Sequence, residues 1–151
     1  AILGPRSNFN PDSSTAIPAM IRRFYENKDS SEPLIVWGDG SPLRQVTSGE
    51  DVGRIAMWFI DNYSDVRPLN VGTMEEISIK DAAYTIAEHL GLDRNRIQFD
   101  TTKPKGTHRK ATDNSRFVEL SGFRYRPIKE TIEKTIDYFV QNYPNPDKLR
   151  L

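Results

Sequence analysis

Cysteine is absent from this chain of 151 residues, which excludes disulfide bonds, thiolate metal sites and a cysteine nucleophile. No run of the sequence approaches the roughly 18 apolar residues that a membrane span requires. The first residues, AILGPRSNF, also lack the basic and long apolar parts of a signal peptide. We therefore expect a cytoplasmic protein with no membrane partner.

An excess of positive charge is also missing, because Lys and Arg together number 21 and so do Asp and Glu. A protein that binds nucleic acid broadly would show a large basic excess, so we expect no nucleic-acid partner and only a local anion site. The sequence contains no zinc-ligand spacing, Gly-rich dinucleotide fingerprint, phosphate loop or nucleophile elbow. His89 and His108 have no evident carboxylate partner and are interpreted as surface histidines. We predict no metal site and no catalytic constellation within the chain.

The length corresponds to about one domain, and apolar periodicity predicts about five helices with three or four short strands, which is an α/β domain. The predicted helices begin near Thr15, Ser48, Ser78, Asn114 and Pro127. Their main apolar stripes are Ile17, Met20, Ile21 and Phe24 in the first helix, and Val52, Ile55, Ala56, Phe59 and Ile60 in the second. Strands are predicted at Leu34–Trp37, Pro68–Gly72 and Arg96–Asp100. We expect residues 1–13 to form a loop and residues 145–151 to fray.

The stretch LIVWGDGSPLR, from Leu34 to Arg44, contains two candidate ligand-binding residues close together. An apolar run ends at a Gly-rich turn, which predicts a buried strand followed by a turn that presents Arg44. Trp37 offers a flat apolar face and Arg44 a rigid fork of donors, which suit a ligand with a planar or sugar part and a phosphate part. Such a ligand is a nucleotide or a nucleotide sugar. The alternative is a core tryptophan with a solvated arginine.

Two further basic features leave two interpretations open. Arg22 and Arg23 lie off the apolar stripe of the first helix, where they form either a solvated face or part of a site. The loop TTKPKGTHRK, from Thr101 to Lys110, is basic and broken by Pro and Gly. It is either a phosphate site or a solvated loop. Its four cations are Lys103, Lys105, Arg109 and Lys110.

The order of several motifs is more specific than any one of them. The segments LGPRSNFNPDSSTAIPAMIRRF, VWGDGSPLRQV, SGEDVGRIAMWFI, PLNVGT, ISIKDAA and FDTTKPKGTHRK occur in this order. Together they resemble the C-terminal half of the GDP-L-fucose synthase family, the epimerase/reductases of the extended short-chain dehydrogenase/reductase family. The resemblance covers almost the whole chain, from about Ile2 to Tyr143.

The resemblance implies that residues 1–151 are the substrate-binding C-terminal part of a Rossmann-like fold. The N-terminal domain that binds NADP(H) and carries the groups for hydride and proton transfer is absent from this chain. The intact enzyme would be a homodimeric NADP-dependent oxidoreductase and epimerase that makes GDP-L-fucose from GDP-4-keto-6-deoxymannose, and this segment alone would be inactive. Because the sheet of the missing domain is absent, the strand near Leu69 and the helix Ser48–Tyr63 should be exposed or covered by another copy.

Position by position, Arg23, Trp37 and Arg44 match family residues that hold the GDP part of the substrate. Ala1, Ile2 and Thr15 would border the cofactor.

Three departures qualify this match. Ala1–Pro5 replaces the family pattern N-[LV]-Y-G-P. Thr15 occupies the position of the family histidine that acts as an acid in epimerisation, and a threonine cannot supply that proton near neutral pH. Lys105 replaces a family aspartate, and an ammonium there favours phosphate. Two rivals therefore stay open, a related epimerase or dehydratase of another nucleotide sugar and a free-standing nucleotide-sugar-binding module.

Overall fold

A computed structural model describes all 151 residues and confirms an α/β architecture with five helices. The helices are α1 Ala16–Glu26, α2 Gly49–Asn62, α3 Ile79–His89, α4 Ser115–Ser121 and α5 Ile128–Asn142. The strands are β1 Ile2–Leu3, β2 Leu34–Trp37, β3 Leu43–Arg44, β4 Thr47–Ser48, β5 Ile77–Ser78, β6 Ile97–Asp100 and β7 Arg109–Lys110. None of the helices is both long enough and apolar enough to cross a membrane.

Helices α1, α3 and α5 pack around one apolar core. The predicted stripe of α1 is fully confirmed, since all four of its apolar side chains are buried. Phe24 of α1, Ile86 of α3 and Phe139 of α5 are each fully buried. Burying one such side chain stabilises the fold by about 1.5–3 kcal/mol, so this helix layer is the rigid base on which the loops are mounted.

Strand β2 pairs in parallel with β6, and Trp37 lies opposite Asp100 at the last position of the register. Side chains alternate between the faces of a strand, so Leu34 and Val36 are buried whereas Trp37 is 55% exposed. The interpretation of Trp37 as a core residue is therefore wrong. The strand carries its indole to the surface at the point where the chain turns.

The turn after β2 is tied to the beginning of α3. The carbonyl oxygens of Gly40 and Pro42 accept hydrogen bonds from the backbone N–H groups of Lys80 and Ile79, at 2.9 and 3.0 Å. These are two of the N–H groups that the first turn of a helix leaves without a partner inside the helix. The glycine-rich turn is thus fixed by a helix, and β3 continues from it as the central strand between β5 and β7.

Asp51 follows Ser48 by three positions, a spacing that predicts a capping box at the start of α2, but this box does not form. The hydroxyl of Ser48 accepts a bond from the N–H of Glu50, at 3.3 Å, instead of that of Asp51. The buried carboxylate of Asp51 accepts the N–H of Arg126 at 2.8 Å and a bond from Arg54 at 3.1 Å. It joins α2 to the segment before α5, a long-range role that local spacing does not reveal.

Helix α2 is much less buried than its apolar periodicity predicts. Of the predicted stripe only Ile55 is buried, and Ile60 is 76% exposed. Residues 68–72 also form no strand, because no neighbouring strand is present to pair with them. The exposed α2 face agrees with the expectation that this surface lacks its covering layer within the chain.

Both ends of the chain are more ordered than expected. Ile2–Leu3 is not loop but a short strand parallel to Thr47–Ser48. The prediction of a frayed end is wrong, because Leu149 is only 3% exposed and the carbonyl of Arg150 accepts the N–H of Phe9 at 2.7 Å. An apolar side chain with a place in the core keeps residues 145–151 ordered.

Candidate functional site

All four residues predicted to contact a substrate line one cavity of about 440 Å³. Arg23 comes from α1, Trp37 from the end of β2, Arg44 from β3 and Lys105 from the loop between β6 and β7. They are up to 82 positions apart in the sequence, from 23 to 105, and only the tertiary fold brings them together. The cavity is completed by Pro11, Asp12, Ser14, Ala16, Ala19, Met20, Arg22, Val36, Ile79 and Pro104.

Arg23 is a half-buried cation without a partner. Its guanidinium makes no hydrogen bond and no ion pair with the protein, and its buried Nε atom has no acceptor. Burial lowers the pKa of Arg23 below its usual value. The neighbouring Arg22 binds Glu26 at 2.8 Å and the carbonyl of Phe9 at 3.3 Å. The interpretation of Arg22 and Arg23 as a solvated helix face is therefore wrong. Of the two, only Arg23 has no hydrogen-bond or ion-pair partner for its charge.

Two cations lie over the indole ring of Trp37. The guanidinium carbon of Arg23 lies 5.9 Å from the ring centroid, and Nζ of Lys103 lies 5.8 Å from it. Both distances fall within the range of cation–π attraction, about 6 Å. The ring is therefore oriented by charged neighbours while more than half of its surface stays open to a ligand.

Arg44 is held by backbone oxygens. Its Nη1 donates to the carbonyls of Leu43 at 2.6 Å and Thr107 at 2.9 Å, whereas its Nε and Nη2 make no hydrogen bond with the protein. Gly106 lies beside it with a φ of +72°, and a Cβ added there would lie 3.5 Å from Nη2. A carbonyl does not cancel the guanidinium charge, so the free donors of Arg44 can serve an anion.

Lys105 is already paired with a carboxylate. Its Nζ lies 3.0 Å from Oδ2 of Asp39. The hydroxyl and backbone N–H of Ser41 bind the other oxygen of Asp39 at 2.7 and 3.0 Å. The Ser41 bonds first, and then Lys105, hold the pKa of the Asp39 carboxyl well below its usual range. Gly38 permits this contact, since a Cβ on it would lie 2.5 Å from the Cβ of Lys105.

The other three cations of the basic loop, Lys103, Arg109 and Lys110, have different surroundings. Arg109 forms a bidentate pair with Glu76, at 2.8 and 2.9 Å, so its charge is already balanced by a carboxylate. Lys103 lies over Trp37, and Lys110 lines a neighbouring cavity. Of the four cations, Lys105 therefore lines the Trp37 cavity and Lys103 lies over the Trp37 ring.

The three residues expected to border a cofactor lie next to this cavity. Ala1, Ile2 and Thr15 line a second space of about 310 Å³ that shares Arg44 and Ile79 with the first. Ile2 and Thr15 also line a third space of about 640 Å³. Thr15 is the N-cap of α1, but its hydroxyl makes no capping hydrogen bond.

Neither histidine lines these cavities. His89 was expected to lack a carboxylate partner, but its Nε2 lies 2.7 Å from Asp137, and its Nδ1 lies 3.9 Å from Glu133. Helix α5 brings these carboxylates to α3 from 44 and 48 positions away along the chain, so sequence proximity could not reveal them. The group is part of helix packing and supplies no acid or base to the cavities.

Sequence reasoning missed Asp39 and Ser14. The Asp-Gly pair and following Ser of the turn are a signal for Asp39, because aspartate often binds the backbone two residues on. The hydroxyl of Ser14 is buried without a partner, and nothing in the sequence distinguishes it from Ser13. With an aromatic face and an unpaired guanidinium, the cavity suits an anion that also carries a planar group.

Comparison with known proteins agrees with this chemistry. Residues 1–72 match the NAD dependent epimerase/dehydratase family. The chain is 37% identical over 142 residues to the probable GDP-L-fucose synthase 1 of Oryza sativa subsp. japonica, covering 93% of this chain and 43% of the relative. It is 31% identical over 151 residues to the GDP-L-fucose synthase of Escherichia coli (strain K12), covering 93% of this chain and 47% of the relative. The chain thus spans about half the length of these relatives.

Solved structures show the same relationship. A GDP-L-fucose synthetase from Naegleria fowleri bound to NADP superposes with a TM-score of 0.90 at 29% identity, over 99% of this chain and 46% of that one. A dTDP-glucose 4,6-dehydratase from Bacillus anthracis in complex with NAD superposes with a TM-score of 0.79 over 95% of this chain and 43% of that one. At 17% identity, that second likeness shows the fold alone.

Proposed function

We propose that this chain is the GDP-sugar-binding half of an NADP-dependent epimerase/reductase, because residues 1–72 match the NAD dependent epimerase/dehydratase family. The intact enzyme converts GDP-4-keto-6-deoxymannose to GDP-L-fucose. The similarity to GDP-L-fucose synthases over 93% of the chain supports this assignment. Because those relatives are about twice as long, we also propose that the dinucleotide-binding domain is a separate part and that residues 1–151 alone do not turn over substrate.

The observation that carries the proposal is the unpaired guanidinium of Arg23. Burying a charge without a partner is costly, and proteins usually pair such a group or bind an ion with it. The protein supplies no carboxylate to Arg23, while its neighbour Arg22 has Glu26. A diphosphate in the cavity satisfies Arg23 and the free donors of Arg44 together.

Each lining residue then has a role. Arg23 and Arg44 hold the diphosphate, and Trp37 packs against the nucleoside through its exposed face. Lys105 is shared between the ligand and Asp39, because its ammonium carries three donors and Asp39 uses one. These assignments explain why four residues from four separate elements converge on one space.

The cofactor assignment rests on the spaces beside Thr15. Ala1, Ile2 and Thr15 line one space, which we assign to the ring end of NADP(H), the part that supplies hydride when it is bound. The chain has no Gly-rich loop for the pyrophosphate, so these residues border the cofactor and the other domain holds it. Thr15 donates no proton at neutral pH, and this chain contributes no catalytic residue.

The partners follow from the exposed α2 face. Met57 and Ile60 are 59% and 76% exposed, and residues 68–72 have no strand beside them. We assign this surface to the dinucleotide-binding domain, and we expect the intact enzyme to be a homodimer. The absence of cysteine suits the reducing cytoplasm as its location.

A related reductase or epimerase acting on another GDP-sugar is the second candidate. Two substitutions favour it, because Thr15 stands at the position of the family acid and Lys105 at that of the family aspartate. Lys105 lines the cavity that contains Trp37, and Thr15 lines the adjoining space. They would change the sugar and the stereochemistry of the product while leaving the GDP-binding residues intact.

Calorimetric titration of GDP into the intact protein tests the assignment. Binding that is lost in Arg23→Ala but kept in Arg94→Ala, where the arginine lies outside the cavity and pairs with Glu88, supports it, and the absence of any GDP binding by the wild type refutes it. Incubating residues 1–151 with NADPH and GDP-4-keto-6-deoxymannose should give no NADPH oxidation. Profiling the intact protein with several GDP-sugars, and identifying the products, separates the two candidates.

A further inference from the structure

A short loop before α1 separates two of the cavities. We call residues 9–15 the wall loop. On one side Asp12 and Ser14 line the cavity that contains Trp37, and on the other Ser13 and Thr15 line the space of about 640 Å³. A displacement of this one loop therefore changes the shape of both spaces.

The wall loop is shaped by its own polar groups. The side-chain oxygen of Asn10 accepts the N–H of Asp12 at 3.0 Å and the hydroxyl of Ser13 at 3.3 Å. The carbonyl of Asn10 accepts the N–H of Ser14 at 3.0 Å. These bonds define the conformation of the loop, but they do not determine where it lies relative to the core.

The position of the loop depends on Phe9. Its ring is fully buried, with its centroid 4.7 Å from that of Phe139. Its N–H donates to the carbonyl of Arg150 at 2.7 Å, beside a parallel bridge between Asn8 and Arg150. Leu149 is 3% exposed and belongs to the same apolar cluster as Phe9 and Phe139. Residues 149–150 thus hold the base of the wall loop against the core.

We infer that residues 149–150 position the nucleotide site. They anchor Phe9, Phe9 places the wall loop, and the wall loop forms one side of the cavity in which Arg23 and Trp37 lie. Leu149 itself lines none of the three cavities, so it acts on binding only through the loop. The choice of GDP as ligand rests on the proposed function, whereas the anchoring of the loop does not.

The test compares Leu149→Ala with Ile86→Ala in the intact protein. Both substitutions truncate a buried side chain of the same core cluster, but Ile86 is in α3 and lines none of these cavities. Leu149→Ala should weaken GDP binding roughly three- to tenfold, and Ile86→Ala should leave it unchanged at a temperature where both proteins are folded. Leu149→Met, which keeps the volume, should restore the affinity. If Leu149→Ala does not fold, Leu149→Val gives a smaller loss in the same direction.

Hydrogen exchange supplies a readout that needs no ligand. In Leu149→Ala the amides of Phe9 and Ser14 should exchange faster, while amides in the middle of α3 keep their protection. Unchanged protection at Phe9 and Ser14, or equal GDP affinity in the Leu149 and Ile86 variants, would overturn the inference. If the wild type binds no GDP, the proposed function fails, and the exchange data alone decide whether residues 149–150 hold the loop.

Discussion

Nη1 of Arg44 donates a 2.9 Å hydrogen bond to the carbonyl oxygen of Thr107, a residue 63 positions further along the chain. The bond fastens the loop between β6 and β7 to the central strand β3. It also orients the guanidinium without cancelling its charge, because the acceptor is a neutral carbonyl. The same side chain thus positions a loop and remains available to an anion.

Arg44→Ala should weaken GDP binding by on the order of 2 kcal/mol, because a charge-assisted contact is removed from a partly dry site. Arg44→Lys should recover only part of this loss, since an ammonium cannot bind Thr107 and the ligand with the geometry of a guanidinium. Calorimetry on the intact protein measures both values. Unchanged affinity in Arg44→Ala would remove Arg44 from the site.

Arg23→Met should raise the Tm while it weakens GDP binding. The substitution replaces a half-buried, unpaired cation with an apolar side chain of similar length. The folded state no longer has the free-energy penalty of burying an unpaired charge, and the ligand no longer has the guanidinium to bind. Arg22→Met is the matched control and should lower the Tm, because it breaks the bonds to Glu26 and Phe9. Thermal melts and titrations of both variants check this, and a lower Tm in Arg23→Met would contradict it.

Trp37→Ala should cost about 1–3 kcal/mol of GDP binding through lost apolar and stacking contact. Its Tm should change little, because the indole is 55% exposed in the free protein. Val36→Ala provides the opposite case, since Val36 is buried and its truncation should lower the Tm. A large fall in Tm for Trp37→Ala with unchanged affinity would show a structural role instead.

Asp39→Asn should lower stability near neutral pH but not in acid. The folded pKa of Asp39 is depressed, chiefly by the bonds from Ser41, so its contribution is complete above its unfolded pKa of about 3.9 and is lost as the pH falls below it. The Tm difference from the wild type should therefore shrink below about pH 3.9. Thermal melts of both proteins across this pH range measure the difference, and a difference that persists in acid would contradict the prediction.

Ile60→Gln should reduce self-association of residues 1–151 without lowering the Tm. Ile60 is 76% exposed on α2, and a large uncovered apolar surface promotes association. Ile55→Gln, five residues earlier in α2 and only 3% exposed, should instead lower the Tm because it buries a polar group. Sedimentation of the two variants distinguishes the cases, and a clean wild-type monomer would contradict the expectation.

Local patterns were sufficient for the helices and for the choice of chemically important residues. The apolar stripe of α1 and the break after Trp37 depend on neighbours within a few positions. Motif order pointed to Arg23, Trp37, Arg44 and Lys105, and the fold brings all four to one cavity. The roles of these residues in binding stay predictions.

Local patterns failed where a distant partner or a missing surface decides the outcome. The periodicity of α2 predicts a buried stripe, but burial requires an opposing layer, and none of this chain covers Ile60. Spacing alone could not pair His89 with Asp137 or Asp39 with Lys105, since each pair is joined only when separate elements pack together.

The sequence by itself therefore determined the five helices, the neutral overall charge and the set of side chains able to bind an anion. The tertiary structure alone decided which of those charges are already paired. Arg109 has the carboxylate of Glu76 at 2.8 Å, 33 positions away along the chain, whereas Arg23 has none, and the local sequence does not predict which of these two arginines is paired. The physical reason is that the state of a charge depends on the few ångströms around it, and those neighbours come from chain segments that only folding brings together.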